Sequence, residues 1–243
     1  MVGYPSARMV RSVKKFPVYC PLAFDFDRGR MSSELFGTRN GWRRLPTIKR
    51  FAKAPFYFEV AGPEFYAKSE YVEVDEKGHY TYHEGHPTWS GCSLTSTPQD
   101  KNSAAGSFGL RAKFDDWAWQ PQFDIPYTRS IIENLPYTQI EIVRIMSIDT
   151  EGFGPVHVDT RNDDLWEEMG YAATTFMLES GGVDMLVQKG DRRFAANAPV
   201  FFFKDCYPHG VPPVKSTRLL LRVTGKVDYP AYRKLMQLDH AVW

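Results

Sequence analysis

Two histidines and one aspartate have the types and spacing to hold a metal ion. His157 and Asp159 stand two positions apart in Gly154-Pro-Val-His-Val-Asp-Thr160, and His209 follows Tyr207-Pro208 later in the chain. On a β-strand, residues i and i+2 point to the same face, so His157 and Asp159 could reach one ion. His209 would join them from another strand. This donor set suits a divalent metal that keeps open coordination positions.

Two arginines follow the last of these residues. Arg218 comes nine positions after His209, and Arg222 four positions further along the same predicted strand, hence on the same face. A guanidinium is permanently charged and offers a planar fork to a carboxylate, so a buried one beside a metal cavity requires an anionic ligand. We favour Arg218 for this role and leave Arg222 as a second contact or a structural residue.

Composition describes an ordinary globular protein. The 243 residues are 43% hydrophobic and 24% charged, enough for a core and consistent with one domain. There is neither a run of about 18 apolar residues nor a signal sequence, so we expect a cytoplasmic protein without membrane or nucleic-acid partners. The cysteines (Cys20, Cys92 and Cys206) are too widely spaced for a disulfide framework or a structural zinc site. The first 50 residues carry eleven Lys or Arg against three Asp or Glu, which we interpret as a solvated face.

Periodicity and turn signals predict a mainly β fold with flanking helices. Strands are predicted at 55–60, 71–74, 79–82, 87–95, 140–148, 172–178, 184–188, 199–203 and 217–223. One helix is predicted from Pro126 to Leu135 and a short closing helix within 229–243, whereas residues 1–50 look extended and irregular and 97–106 look like a mobile loop. Successive strands without helices between them indicate an antiparallel sandwich or barrel.

The order of these segments resembles a known family. From Ile125-Pro-Tyr127 through Pro155-Val-His157-Val-Asp159 to Pro208-His209 and Arg218, the sequence is similar to the aspartyl/asparaginyl β-hydroxylase-like branch of the Fe(II)/2-oxoglutarate-dependent dioxygenases. That branch includes bacterial hydroxylases of free amino acids, such as proline. The similarity covers residues 120–225, with Trp89 to Leu94 resembling an upstream strand.

The resemblance implies a fold, a cofactor set and a reaction. The fold would be a double-stranded β-helix, that is, a cupin-like jelly roll, with residues 120–225 as its core and 1–80 as an N-terminal elaboration of a single 1–243 domain. Iron would be held by His157, Asp159 and His209, and the far carboxylate of 2-oxoglutarate by Arg218. The enzyme would use O2 to hydroxylate an unactivated C–H and release succinate and CO2.

Two departures from the family pattern matter. The family commonly has an arginine on the strand after the His-x-Asp segment, where this chain reads Ala172-Ala-Thr-Thr-Phe176. Either Thr174 or Thr175 takes a weaker role in binding the carboxylate, or Arg144 or Arg161 supplies the charge. Asp159 argues against a halogenase, because related halogenases leave that coordination position to halide.

The expected substrate is a free amino acid or an amino-acid-derived small molecule. Candidate substrate contacts are Trp89, Trp117, Trp119, Arg144 and Arg161, and candidate supports of the metal ligands are Thr160, Asp205 and Tyr207. Three alternatives stay open: the same chemistry on a protein, peptide or carrier-tethered residue; a cupin-like metal isomerase or hydrolase; and a jelly-roll binding module without catalysis.

Overall fold

A computed structural model describes residues 15–44, 89–96, 117–157 and 170–243 of the chain. The predicted strands at 55–60, 71–74 and 79–82, the predicted loop at 97–106, and the candidate residues Asp159, Thr160 and Arg161 lie outside the described residues. His157 is described by its backbone alone.

The described part of the chain is dominated by antiparallel strands. Their bounds are β1 Tyr19–Pro21, β2 Arg43–Arg44, β3 Trp89–Ser93, β4 Thr95–Ser96, β5 Ala118–Trp119, β6 Tyr137–Ile148, β7 Gly154–His157, β8 Tyr171–Ser180, β9 Met185–Lys189, β10 Arg192–Ala196, β11 Val200–Phe203, β12 His209–Val211 and β13 Arg218–Val227. The larger sheet has the order β1-β11-β8-β13-β6-β3-β2, and the smaller has the order β10-β9-β12-β7. A separate ribbon joins β4 and β5.

The last eight strands pair in a nested way. β6 pairs with β13, β7 with β12, β8 with β11, and β9 with β10, all antiparallel. Pairing the first with the last strand, the second with the next to last, and so on inward, winds a hairpin into two facing sheets of four. The fold is therefore a double-stranded β-helix, and the predicted fold class is confirmed.

The two sheets enclose an apolar interior. Met177, Phe201 and Leu220 of the larger sheet pack in one buried cluster with Met185 and Val187 of the smaller sheet. Because side chains alternate along each strand, the other face of the larger sheet forms a second cluster, with Phe176, Phe202, Leu219 and Leu221 among its members. The first cluster defines the interior face, and the second defines the outer face.

Three helices, α1 (Arg28–Gly37), α2 (Pro126–Glu133) and α3 (Tyr229–Leu235), contribute buried residues to the outer face. The first turn of α2 has no side-chain cap of its own, and the Glu34 carboxylate of α1 accepts its amides, from Tyr127 at 3.0 Å and from Thr128 at 2.7 Å. Short 3-10 helices span Arg39–Gly41 and Leu238–His240. Among the residues that the structure describes, no helix is long and apolar enough to cross a membrane.

The helices at 126–135 and within 229–243 are confirmed, but the extended reading of residues 1–50 is wrong for 28–37. Asp27-Arg-Gly looks like a turn in the sequence. In the structure Asp27 caps α1, because its carboxylate accepts the Arg30 amide at 2.8 Å. Met31 and Leu35 of α1 are buried against the outer face of the larger sheet. Strands β1, β2, β5, β10 and β12 are not among the predicted strands.

Candidate metal centre

Strand pairing brings the two candidate histidines together. His209 opens β12 and is the cross-strand partner of His157 at the end of β7. On its other side His209 pairs with Val187 of β9. Cross-strand partners project to the same face of a sheet, so both histidines belong to one side of the smaller sheet. Asp159 follows His157 by two positions.

The ring of His209 is buried and oriented. The residue is 4% exposed, and its ring lies edge-on to Phe203, with centroids 4.9 Å apart. Nδ1 lies 2.9 Å from the carbonyl oxygen of Tyr207. Since a carbonyl can only accept, Nδ1 carries the proton, and the lone pair of the neutral imidazole is on Nε2. An Nδ1–H bonded to a backbone carbonyl is the usual arrangement around a metal-binding histidine.

The residues present fit a metal of this class. Within the described ranges, no three His, Cys, Asp or Glu side chains gather into a metal-binding group. That search contains neither the His157 side chain nor Asp159. The donor chemistry of two imidazoles and one carboxylate suits Fe(II), and His209 has the orientation that such a ligand needs.

Arg222 contacts residues next to His209. Its Nη2 lies 2.6 Å from Oδ2 of Asp205, and the two side chains are 11% and 10% exposed. Its guanidinium carbon lies 4.6 Å from the centroid of Phe203, the ring that also contacts His209. The turn that leads to His209 is thus connected to β13 by an ion pair and an aromatic ring.

Arg222 stands in a row of polar side chains across the larger sheet. Its register partners are Arg144 on β6 and Thr175 on β8, and Arg144 in turn pairs with Ser93 on β3. All four project into the interior with Phe203. Thr175 is 2% exposed, and its hydroxyl has no hydrogen-bond partner among the described residues. A buried hydroxyl left in this way costs about 1–3 kcal/mol, so its position favours a ligand.

Arg218 lies further along the same interior face, with Leu220 between it and Arg222. The side chain is 1% exposed, and Nη1 donates to the carbonyl oxygens of Ser180 and Val183, both at 2.7 Å. Arg218 therefore holds the turn between β8 and β9.

Thr174 points to the outer face. Its hydroxyl is bonded to Tyr137 at 2.9 Å and to Tyr232 at 2.8 Å. Burial raises the pKa of both tyrosines, so the network stays protonated. The interior position is taken by its neighbour Thr175. The expectation that Thr174 binds the cofactor does not fit this placement, because successive residues of a strand face opposite sides.

The tryptophans proposed as substrate contacts lie apart from one another. Trp89 packs in the interior and pairs with Ile148, which is also the partner of Arg218, so it lies toward that end of the sheet. Trp119 packs on the outer cluster, with its Nε1 3.1 Å from Glu133. Trp117 directly precedes β5 of the separate ribbon. Arg144 is the proposed contact that lies beside Arg222.

Comparison with known proteins gives distant structural likenesses. A prolyl hydroxylase from Trichoplax adhaerens, solved with a peptide fragment of the hypoxia inducible factor oxygen degradation domain, is 11% identical, with a TM-score of 0.44 over 90% of this chain and 87% of that one. A 2OG-Fe(II) oxygenase family oxidoreductase from Burkholderia pseudomallei is 13% identical, with a TM-score of 0.38 over 84% and 94%. No family model and no curated protein matches. At TM-scores below 0.5 these likenesses carry no functional assignment, which has to come from the site.

The sequence pairs neither Asp205 with Arg222 nor Phe203 with the two residues that its ring contacts, Arg222 and His209. In the sequence only its closeness to His209 points to Asp205. The alternation in Val200–Phe203 was a usable signal, because it sends Phe201 and Phe203 to one face and Phe202 to the other. No pattern in the sequence indicates the ion pair of Asp205 and Arg222, because the two residues are 17 positions apart and meet through a turn.

Proposed function

We propose that this protein is a dioxygenase dependent on Fe(II) and 2-oxoglutarate that hydroxylates a free amino acid or an amino-acid-derived small molecule. The observation that carries the proposal is the placement of His209. It lies on a jelly-roll strand opposite His157, with Nδ1 bonded to the Tyr207 carbonyl, so that Nε2 carries the lone pair with which the ring would bind a metal. The sequence motifs that resemble the family supply the remaining ligand, Asp159.

Each part of the site has a proposed task. His157, Asp159 and His209 would hold Fe(II), which supplies oxidation of a C–H bond with O2 when bound together with 2-oxoglutarate. Arg222 and the Thr175 hydroxyl would bind the far carboxylate of 2-oxoglutarate. Arg222 offers a charged fork and Thr175 a donor, and both face the interior beside Phe203.

The choice of Arg222 differs from the preference for Arg218 in the sequence. Arg222 contacts the same ring as His209, whereas Arg218 lies beyond Leu220 and is hydrogen-bonded to the turn between β8 and β9. Asp205 is proposed to orient the Arg222 guanidinium. Arg144, the other neighbour of Arg222, would extend the basic row toward the substrate.

The interior also supports exclusion of water from the reaction. Phe201, Phe203, Met177 and Leu220 are buried on the face that carries Arg222. Polar contacts in a dry site are stronger than in water, and a dry site protects the reactive centre from side reactions. Solvent-shielded arginine and hydroxyl groups would therefore select the carboxylate end of the co-substrate.

The test is succinate formation by the purified protein with Fe(II), ascorbate and 2-oxoglutarate, measured with and without a panel of free amino acids. The proposal expects succinate in stoichiometric amounts with a hydroxylated amino acid for at least one panel member. A peptide arm distinguishes the alternative substrate class. The His209→Ala variant should form no succinate, while His240→Ala, a change at an exposed histidine, should behave as the wild type. Equal activity in both variants would contradict the proposal.

A further inference from the structure

A basic pocket lies on the other side of the turn that carries Asp205. It has a volume of about 340 Å³ and is lined by Lys15, Phe16, Val18, Lys189, Lys204, Tyr207 and Trp243. These residues come from the segment before β1, the end of β9, the turn after β11 and the last residue described. The proposed hydroxylase reaction uses none of their side chains.

Three lysines supply the charge of this pocket, and none of the described residues that line it is acidic. Lys204 is 4% exposed, which is rare for a lysine. Lys189 brings its ammonium to 5.9 Å from the ring centroid of Tyr207. Lysine residues that line one cavity raise its positive potential, and lysine is a common point-charge partner of phosphate.

Aromatic side chains supply the remaining walls. Phe16 is fixed by contacts with Phe202 and Tyr229, at centroid distances of 5.2 and 5.0 Å. Tyr207 is held in the turn by its backbone, because its amide donates to Lys204. Trp243 is the exposed large hydrophobic residue of the described ranges, at 46%. Its indole is available to cover a planar ligand.

The turn separates the pocket from the candidate metal centre. Asp205 points inward to Arg222, while its neighbour Lys204 lines the pocket. Tyr207 belongs to both regions, since its side chain lines the pocket and its carbonyl oxygen accepts the bond from His209. A ligand in this pocket would thus contact the turn without entering the interior.

We propose that this pocket binds a phosphorylated small molecule that carries a planar ring. Lys15, Lys189 and Lys204 would surround the phosphate, and the ring would lie against Tyr207 and Trp243. The volume lies at the small end of the range for small-molecule sites, roughly 300–1,000 Å³. A phosphate needs strong positive charge and a ring needs an aromatic wall, and the pocket offers both.

Calorimetric titration of the metal-free full chain with adenosine 5′-monophosphate, inorganic phosphate and adenosine tests this site. We expect the nucleotide to bind more tightly than phosphate, adenosine to give no signal, and the nucleotide affinity to fall as salt increases. Lys189→Gln and Trp243→Ala should each weaken nucleotide binding about tenfold, a loss typical of one charged or stacking contact. Lys234→Gln, a change at an exposed residue of α3, is the matched control and should have no effect.

Three results would count against this proposal or one of its parts. No binding by the nucleotide, or binding that Lys189→Gln leaves unchanged, would overturn the site. Equal affinity for phosphate and the nucleotide would overturn the part assigned to the ring. Because the titration needs no iron and no turnover, it is independent of the hydroxylase proposal. Lys189 is an exposed residue at the end of β9, so its substitution tests the pocket even where a change at buried Lys204 prevents folding.

Discussion

Nη2 of Arg222 lies 2.6 Å from Oδ2 of Asp205, with both side chains about nine-tenths buried. This pair connects β13, which would bind the co-substrate, to the turn that presents His209 from the facing sheet. A buried charge that loses its partner is costly, so the two residues constrain each other. The geometry of the proposed site therefore depends on an interaction between two segments that do not share a strand.

Replacing Asp205 with asparagine should weaken 2-oxoglutarate binding more than iron binding. The amide keeps the size of the side chain but removes the charge that orients the Arg222 guanidinium. We expect the KM for 2-oxoglutarate to rise by about tenfold, corresponding to the loss of about 1.4 kcal/mol. Turnover kinetics and iron titration on the same preparation give both quantities. An unchanged KM with weakened iron binding would assign Asp205 to the metal instead.

Substitution of the two arginines separates their roles. Arg222→Met should raise the KM for 2-oxoglutarate by at least about tenfold, since it removes the proposed charged contact, and it should also lower the melting temperature, because buried Asp205 loses its partner. Arg218→Met should chiefly lower the melting temperature, because it leaves the carbonyls of Ser180 and Val183 without their donor. Kinetics and thermal unfolding of both variants provide the comparison. A raised KM for Arg218→Met with an unchanged KM for Arg222→Met would mean that Arg218 binds the far carboxylate of 2-oxoglutarate.

Adjacent threonines offer a matched pair, since valine has nearly the same shape as threonine. Thr174→Val loses bonds to Tyr137 and Tyr232 and should destabilise the fold by about 1–3 kcal/mol without changing the KM for 2-oxoglutarate. Thr175→Val should raise that KM and should raise the free energy of unfolding of the co-substrate-free protein by up to about 1–3 kcal/mol, because it removes a buried hydroxyl that has no partner among the described residues. Urea unfolding and steady-state kinetics measure these effects. A raised KM for Thr174→Val alone would argue against the proposed interior row.

The free energy of unfolding of this protein should fall as the pH rises above 9, because two cysteine thiols are buried. Burial is the main cause that raises the pKa of Cys20 to about 11 and that of Cys92 to about 12, from 9.0. Above pH 9 the unfolded chain loses these protons while the folded chain keeps them, so the stability present below pH 9 is lost progressively up to about pH 11 for Cys20 and about pH 12 for Cys92. Each thiol contributes about 1 kcal/mol per pH unit in this window.

Urea unfolding between pH 8 and pH 10 measures this decline. Cys92→Ala should show a shallower dependence on pH than the wild type, whatever its absolute stability. The comparison of slopes removes the separate cost of the small cavity that the substitution leaves. Identical slopes would mean that Cys92 does not contribute.

The strands that carry the site could be predicted because their patterns are local. Ile140 to Ile148 and Thr217 to Val223 alternate or run apolar between clear turn signals, and both strands exist with longer bounds. The site at His209 is predictable for the same reason, because the apolar strand that ends at Phe203 and the restraint from Pro208 are both close to it in the sequence. Residue types and spacing predict one metal site for His157 and His209, and the strand register makes the two residues partners.

Other parts of the site depend on long-range packing that no local pattern records. The choice between Thr174 and Thr175 is a question of strand phase, which the register with Arg222 decides. The contact of Arg222 with Asp205 requires the turn after β11 to fold toward β13. Helix α1 was missed because Asp27 and Gly29 are equally typical of a turn and of a helix start.

Iron binding measured by anaerobic equilibrium dialysis tests the central claim most directly. The wild type and the His240→Ala control should bind one Fe(II) per chain, whereas His209→Ala should bind it at least about tenfold more weakly, because the oriented Nε2 donor is gone. Retention of the wild-type iron affinity by His209→Ala would contradict the account.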